Sequence, residues 1–231
     1  MGGYKAVKNL VEKQVESMGI TVPVIMHLDH GSYEAAKEAI AAGYSSVMFD
    51  GHDLDFEDNL LKTKEIVALA HAQGVSVEAE VGSIGGEEDG IVGAGELADV
   101  EEAKQLAATG VDFLAVGIGN IHGVYPANWT GLNFDRLQEL ADVIKTPLVL
   151  HGGSGIPKEQ IVKAISMGIS KVNVNTEQQI AWSNAVRKYY EADNDKKAKG
   201  FDPRKVLASG TEAIKNTVKE RIEWFNTPSM W

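Results

Sequence analysis

The sequence contains no cysteine among its 231 residues. This excludes disulfide bonds, cysteine nucleophiles and thiolate zinc sites, and the reducing cytoplasm is the simplest expected location. The sequence also lacks any apolar run close to the roughly 18 residues that a membrane span needs. Its N-terminus lacks the charged-then-apolar pattern of a signal peptide. We therefore expect no association with a membrane.

Basic residues are in the minority in this chain. Lys and Arg number 22 against 33 Asp and Glu, which gives a formal net charge of −11. Such an excess of negative charge argues against a nucleic-acid-binding surface or a surface for anionic lipids. It does not exclude a small anionic ligand, because a local site can oppose the overall sign.

Short β-branched runs alternate along the chain with longer amphipathic stretches, and glycine marks the joins. Hydrophobic residues make up 44% and charged residues 24%, a balance typical of a globular protein, and we expect one domain over 1–231. The near-continuous apolar character of the short runs is typical of buried parallel strands. Six strands are predicted, at 23–29, 45–50, 75–81, 113–118, 147–151 and 170–175.

The repeated order of strand, helix and strand predicts an α/β fold with right-handed crossovers. Either a TIM (β/α)8-barrel type or a doubly wound sheet has this order, and six strands are visible where a closed barrel has eight. Ser32, Asp99 and Asn133 are predicted N-caps, and Pro157 is predicted at a first helical position. The region 203–231 is predicted as a C-terminal helical extension.

Polar residues follow the C-terminal ends of the predicted strands, the face on which α/β folds bind their ligands. His30, His122 and His151 each lie at such an end, and glycine follows each of them. A structural role would be the better interpretation for any one of them alone. Three imidazoles from separate strands instead favour a catalytic zinc, which takes three protein ligands and keeps one position open.

Other titratable residues lie near these ends. Glu80 is either an extra or alternate metal ligand or a buried, hydrogen-bonded carboxylate, and the sequence favours neither. We expect His27 to pack within its strand or to lie behind the ligands, and His71 to be structural. For His52 the sequence decides nothing, and a surface loop is the default. Lys171 lies at the start of its strand and is expected on the opposite face, which disfavours Schiff-base chemistry.

A glycine-rich stretch, 151–155, precedes a helix and can present backbone N–H groups to an anion. A tight turn would explain these glycines equally well. However, the stretch follows the penultimate predicted strand, and TIM barrels often bind phosphate there together with the next loop, here Asn175 and Thr176. The spacing matches neither the dinucleotide fingerprint nor the P-loop. A phosphorylated small molecule is the predicted ligand.

The stretch 82–90 is too rich in glycine and acidic residues to belong to a packed element. One interpretation is a mobile lid that carries Glu87 and Glu88 toward the site. The other is a solvated acidic turn, which is nearly as common for such runs.

Five motifs occur in order along the chain: HLDHGS, VEAEVGSIGGEEDG, GNIHGVY, PLVLHGGSGIP and KVNVNTE. Together they resemble the class II (zinc-dependent) fructose-1,6-bisphosphate aldolases and the related tagatose-bisphosphate aldolases. The resemblance implies a TIM barrel with two further βα units before the point where this chain begins. It also implies the reversible glycolytic cleavage of fructose 1,6-bisphosphate to dihydroxyacetone phosphate and glyceraldehyde 3-phosphate, by a homodimer or higher homo-oligomer.

The same resemblance implies roles for individual residues. Those implied for catalysis and metal binding are the acid/base Asp29, the lid carboxylate Glu88, the enediolate-steadying Asn173, and the zinc site of His30, His122 and His151 with Glu80 nearby. Those implied for substrate binding are Asp50, Gly123, Gly152, Ser154, Asn175, Thr176 and Arg204. Arg204 would reach the distal phosphate from a neighbouring subunit, and the backbone around Gly123 and Gly152 would hold a monovalent cation, K⁺ or Na⁺.

Three alternatives remain at the level of sequence. The substrate can be tagatose 1,6-bisphosphate, which differs only at C4. The chain can be a truncated, non-catalytic remnant that binds zinc and phosphate. It can also be a zinc hydrolase, which would release a hydrolysis product instead of trioses.

Overall fold

The structure is a computed structural model that describes residues 3–88, 91–93 and 95–226, and for 87–88 and 91–93 it describes the backbone alone. Eight helices are described: α1 Tyr4–Ser17, α2 Tyr33–Ala42, α3 Phe56–His71, α4 Val100–Ala107, α5 Phe134–Val143, α6 Lys158–Ser166, α7 Thr176–Glu191 and α8 Pro203–Trp224. Nine strands are described: β1 His27–Gly31, β2 Ser46–Phe49, β3 Ser76–Val81, β4 Gly85–Glu88, β5 Ile91–Gly93, β6 Phe113–Val116, β7 Ile121–His122, β8 Leu148–Leu150 and β9 Ile169–Val172. A short 3-10 helix covers Asn194–Lys196.

The main sheet has six strands in the order β1-β2-β3-β6-β8-β9, and all neighbours are parallel. All six strands predicted from the sequence are present. The order follows the chain without reversal, whereas a doubly wound sheet reverses its order at a switch point. Right-handed crossovers then place the connecting helices on one side of the sheet. The sheet is therefore a parallel half-barrel, and the barrel-type prediction is confirmed.

Capping side chains begin several helices where the sequence predicts. Ser32 Oγ accepts from the N–H of Ala35, and Asp99 Oδ1 accepts from two N–H groups in the first turn of α4. Such bonds satisfy donors that the helix itself leaves free. Pro157 precedes the first residue of α6 and does not occupy it, a difference of one position.

The main core lies between the outer face of the sheet and the helices. Its largest fully buried side chains include Phe49, Ile40, Ile66, Leu106, Leu137, Leu140 and Ile161. The inner face carries a smaller apolar cluster of Met48, Ala115 and Val149. Because side chains alternate along a strand, β3 sends Val77 and Ala79 to the main core and both Glu78 and Glu80 to the inner face. Two buried carboxylates thus lie on the inner face.

A second sheet has the order β5-β4-β7 and overlies the C-terminal ends of the main strands. The prediction that 82–90 contains no packed element is wrong for Gly85–Glu88, which pairs with β5 and β7. Glycine here permits close approach: a Cβ on Gly86 would lie 2.1 Å from the carbonyl oxygen of His122. The side chains of Glu87 and Glu88, predicted to act from a lid, lie outside the described residues.

In the part of the chain that the structure describes, no helix is both long and apolar enough to cross a membrane. The predicted C-terminal extension contains α8, which packs beside α7; its last residues, 227–231, lie outside the described range.

Candidate metal centre

Three histidines meet at the C-terminal ends of the strands. His30 lies in β1, His122 in β7, and His151 directly after β8. One ligand atom from each lies within 4.8 Å of the others, and the ring centroids are 4.9 Å (His30–His122), 4.8 Å (His30–His151) and 5.7 Å (His122–His151) apart. The structure therefore brings together the three residues that the sequence predicts as metal ligands.

The backbone of β1 turns at His30 to direct its imidazole into this cluster. The pairing of β1 with β2 shifts register between Leu28 and Gly31, and His30 itself has a left-handed φ of 47°. Few residues other than glycine adopt this conformation, and such strain is concentrated at functional sites. A bulge of this kind re-aims one side chain, here the first ligand candidate.

Two carboxylates fix which imidazole nitrogens face the centre. Asp50 Oδ2 lies 2.6 Å from His30 Nδ1, and Glu78 Oε1 lies 2.8 Å from His151 Nε2. The opposite nitrogens, His30 Nε2 and His151 Nδ1, lie 3.0 Å apart. Two nitrogen lone pairs repel at this distance unless a proton or a cation lies between them. The arrangement matches the carboxylate–histidine pairs found behind metal ions.

Both supporting carboxylates remain ionised near neutral pH. Burial works against the charged form of Glu78, but the hydrogen bond to His151 and the charge of Lys171 lower the pKa of Glu78 to about 2. Burial also opposes ionisation of Asp50, yet hydrogen bonds from His30 and His52 lower its pKa well below the usual range. These fixed negative charges favour a cation among the imidazoles.

The same charges act on His30. Burial disfavours its protonated form, but the hydrogen bond to Asp50 and the charges of Glu80 and Asp29 raise the pKa of His30 to about 9. A positive charge at this position is therefore strongly favoured, whether a proton or a metal ion supplies it.

Glu80 is the strongest sign that the cluster fits a metal. The residue is 6% exposed, and its Oε1 accepts a long bond of 3.4 Å from the N–H of Ile84. Its Oε2 is buried and has no hydrogen-bond partner in the described part of the chain. Burial, followed by the nearby Asp50 charge, raises the pKa of Glu80 to about 8. A buried oxygen without a partner is costly unless a ligand satisfies it, and three imidazoles with a carboxylate are a donor set that zinc accepts.

A cavity of about 270 Å³ opens beside the histidines. Its walls unite nine of the predicted site residues with three others: Asp29, His122, Gly123, His151, Gly152, Ser154, Asn173, Asn175 and Thr176, with His27, Lys171 and Val174. Asn173 Nδ2 lies 3.3 Å from Asp29 Oδ1 and 3.3 Å from His151 Nε2. A carboxylate, an amide and an imidazole therefore share one wall.

The opposite wall of the cavity is formed by the loop after β8 and the loop before α7, which are joined by hydrogen bonds. The hydroxyl of Ser154 accepts from the N–H groups of Asn175 and Glu177, both at 3.2 Å, and thereby caps the start of α7. Gly152 has a φ of 62°, and a Cβ there would lie 2.0 Å from the carbonyl oxygen of Ile121. The glycine-rich turn is thus pressed against the strand that carries His122, and it opens toward a helix N-terminus that favours anions.

Some predicted residues lie elsewhere. Arg204 does not line the cavity; its side chain is 90% exposed and pairs with Asp202 at 2.6 Å. Asp50 does not line it either, and lies behind His30. His71 is paired with Asp112 outside the site, as expected for a residue with a structural role.

The prediction that Lys171 lies on the opposite face is wrong. Lys171 lines the cavity, and its Nζ lies 2.7 Å from Glu78 Oε2. No role was predicted for Glu78, and that of His52 was left open, yet Glu78 supports His151 and His52 Nδ1 lies 2.8 Å from Asp50 Oδ1. The sequence did contain a signal for Glu78. It lies two positions before Glu80 on the same strand, so the two side chains are expected on the same face of the sheet.

Comparison with known proteins gives one consistent family. The family model described as "Fructose-bisphosphate aldolase class-II" matches residues 1–229. The fructose-bisphosphate aldolase of Streptococcus pneumoniae serotype 4 is 61% identical over 234 aligned positions, which cover 98% of this chain and 80% of that protein. The one from Mycoplasma pneumoniae is 53% identical over 225 positions, covering 96% and 78%.

Solved structures agree with this result. The crystal structure of the YdjI aldolase from Escherichia coli K12 has a TM-score of 0.81 at 33% identity, covering 99% of this chain and 78% of that one. The fructose-bisphosphate aldolase from Campylobacter jejuni has a TM-score of 0.77 at 25% identity, covering 96% and 75%.

Proposed function

The chain belongs to the class II fructose-bisphosphate aldolase family, and we propose that it cleaves fructose 1,6-bisphosphate reversibly to dihydroxyacetone phosphate and glyceraldehyde 3-phosphate in the cytoplasm. The family is metal-dependent, and the chain is an aldolase of that class. The observation that carries the proposed substrate is the cavity beside the three convergent histidines, which His122 and His151 line together with a loop suited to an anion.

We assign the metal to His30, His122 and His151, with Glu80 as a further ligand and zinc as the ion. Three neutral nitrogens and a carboxylate oxygen suit zinc in catalytic sites. When bound, the ion supplies a Lewis acid that stabilises negative charge developing on the substrate oxygens. Asp50 and Glu78 hold His30 and His151 in the tautomers that leave one nitrogen of each ring free for an ion.

Asp29 is the proposed acid/base. It is exposed to the cavity, and its carboxylate lies beside the Nδ2 of Asn173. In the cleavage direction a carboxylate oxygen of Asp29 accepts the proton of the C4 hydroxyl while the C3–C4 bond breaks and its electrons move toward the ketone oxygen. In the condensation direction Asp29 returns that proton. Asn173 both positions Asp29 and donates a hydrogen bond toward the enediolate.

The loop wall is the proposed phosphate site. Gly152, Ser154, Asn175 and Thr176 would contact the phosphate of the dihydroxyacetone half, where backbone N–H groups and a helix N-terminus favour an anion. A monovalent cation, K⁺ or Na⁺, would bind the backbone around Gly123 and Gly152. Glu88 would exchange the proton on the carbon that becomes nucleophilic.

We assign Arg204 to the distal phosphate of a substrate that is bound in the active site of a neighbouring subunit. Its exposed position away from the cavity of its own chain fits that assignment, and the proposal therefore includes a homodimer or a higher homo-oligomer.

The test offers fructose 1,6-bisphosphate and tagatose 1,6-bisphosphate to the chain, with and without EDTA, and identifies the products. We expect triose phosphates from the fructose epimer, abolished by EDTA and restored by zinc. A His122→Ala variant should lose both bound zinc and cleavage, whereas His71→Ala, outside the site, should keep both. Bound zinc without turnover would contradict the proposal in favour of a binding remnant, faster cleavage of the tagatose epimer would reassign the substrate, and released inorganic phosphate would indicate a hydrolase.

A further inference from the structure

An acidic residue adjoins the proposed phosphate site along the chain. Glu177 follows Thr176 in the chain, and its backbone N–H donates to the hydroxyl of Ser154 at 3.2 Å. Glu177 therefore lies in the first turn of α7, where a negative charge stabilises the helix dipole. The same charge repels an anion bound at that helix end, because like charges in a partly buried site are poorly screened.

Arg221 of the C-terminal helix α8 contacts this carboxylate with both ends of its guanidinium. Its Nε donates to Glu177 Oε1 and its Nη2 to Glu177 Oε2, the latter at 2.6 Å. The side chains are only 14% and 16% exposed. The guanidinium carbon lies 3.6 Å from the centroid of the Trp224 ring. A stacked, two-point contact of this kind fixes the position of both groups and pairs their charges directly.

A purely structural role for this pair would be to join α7 to α8. Helix contact alone does not require the pair to lie at the first turn of α7, the helix start that Ser154 caps. A negative charge at that place weakens phosphate binding unless a cation compensates it. Arg221 meets this requirement from a helix that lines no part of the cavity.

We propose that Arg221 is a positioning residue that neutralises and holds Glu177, so that the N-terminal turn of α7 accepts the phosphate group of the substrate. This rests on the proposed function, which places that phosphate at Gly152, Ser154, Asn175 and Thr176. Arg221 contacts neither the metal ligands nor the reacting atoms, and acts only through Glu177.

The proposal predicts a rescue that a structural pair would not show. Arg221→Met leaves the Glu177 charge uncompensated and should raise KM about tenfold, with kcat nearly unchanged, and added salt should reduce this defect. Glu177→Gln alone should have a small effect. The double variant should return KM to within about twofold of the parent chain, because the repelling charge is gone.

The measurements are KM and kcat for fructose 1,6-bisphosphate and, independently of turnover, the calorimetric affinity for inorganic phosphate. Arg187→Met, an exposed arginine on α7, is the matched control and should leave both unchanged. Thermal unfolding checks that each variant folds, and Arg221→Lys, which keeps the charge, should be impaired less than Arg221→Met.

A double variant as impaired as Arg221→Met, or an Arg221→Met chain with unchanged KM and phosphate affinity, would overturn the proposal. The two proposals can fail separately. A parent chain without cleavage that still binds phosphate in an Arg221-dependent way would contradict only the proposed reaction.

Discussion

The two walls of the cavity are built by different means. On the metal side, two main-sheet strands carry His30 and lead to His151, β7 carries His122, and carboxylates hold the rings of His30 and His151 through bonds between side chains. On the phosphate side, the backbone does most of this work: glycine turns, N–H groups and the start of α7 are tied together through one hydroxyl, that of Ser154. Each wall presents groups that attract its expected ligand: carboxylates attract a cation on the metal side, and N–H groups attract an anion on the phosphate side.

This difference determines which substitutions each wall tolerates. A side-chain network depends on the charge of its members, so an isosteric change that removes a charge should damage the metal side. A backbone cradle depends on φ and on close approach, so the addition of a single methyl group should damage the phosphate side. Three substitutions test this contrast: Glu78→Gln, Gly152→Ala and Tyr125→Phe.

The largest effect is expected for Glu78→Gln. The amide keeps the shape but loses the charge that holds His151 and Lys171. We expect metal affinity to fall about 10–100-fold, as for other groups behind metal-bound histidines. The measurement is competition for zinc with a chelator, with cleavage activity recorded as zinc is added back.

The matched control for this variant is Glu101→Gln, an exposed carboxylate paired with Lys104. It should leave zinc affinity unchanged. A Glu78→Gln chain that binds zinc as tightly as the parent would show that the rings are held by packing and not by charge.

A smaller effect, on the other wall, is expected for Gly152→Ala. Its Cβ would lie 2.0 Å from the carbonyl oxygen of Ile121, and φ is 62°. The loop must therefore move, which should raise KM roughly tenfold, the equivalent of ~1.4 kcal/mol, and destabilise the fold by about 1–3 kcal/mol. Zinc affinity should change less than in Glu78→Gln. Steady-state kinetics and urea unfolding measure the two effects.

Gly74→Ala is the control that separates backbone strain from the steric collision of the added Cβ. Gly74 has a φ of 70° with no atom within 4 Å of a Cβ, so this variant carries the backbone strain without the collision. It should lose some stability at unchanged KM. Equal KM values for Gly152→Ala and the parent chain would show that this loop does not shape the phosphate site.

The parts of the site that follow sequence periodicity could be predicted, and the parts that depend on tertiary contact could not. Strand ends located His30, His122 and His151, because parallel strands bring their C-terminal ends to one edge. Glu78 and Lys171 lie on different strands, 93 positions apart, and no local pattern predicts that they share a partly buried ion pair.

The same distinction explains the incorrect prediction for 82–90. Abundant glycine is typical of loops, but at Gly86 it permits close approach of β4 to β7. The sequence of this segment alone cannot distinguish a loop from the close approach of two strands, because the distinction depends on the partner strand. The pairing of Arg221 with Glu177 likewise could not be predicted from the sequence, since it depends on the packing of α8 against α7.

The smallest effect is expected for Tyr125→Phe, which tests whether the two walls are coupled. The Tyr125 hydroxyl accepts from the N–H of Ile121 at 3.1 Å, on the metal side, and donates to the carbonyl oxygen of Gly152 at 2.9 Å, on the phosphate side. Phenylalanine keeps the contact with Trp129 but loses both bonds. We expect a stability loss of about 1–2 kcal/mol at neutral pH, with zinc affinity and KM each changed only a few-fold.

The pH dependence identifies this hydroxyl as the cause. Burial raises the pKa of Tyr125 from its ordinary value of 10.0 to about 12, although the bond from Ile121 acts in the opposite direction. The folded chain therefore holds this proton more tightly than the unfolded chain, and its stabilising effect is lost as pH rises from 10 toward 12. Urea unfolding should show the stability gap between the parent and Tyr125→Phe narrowing over that range. A constant gap for Tyr125→Phe over that range would mean that the hydroxyl does not join the two walls.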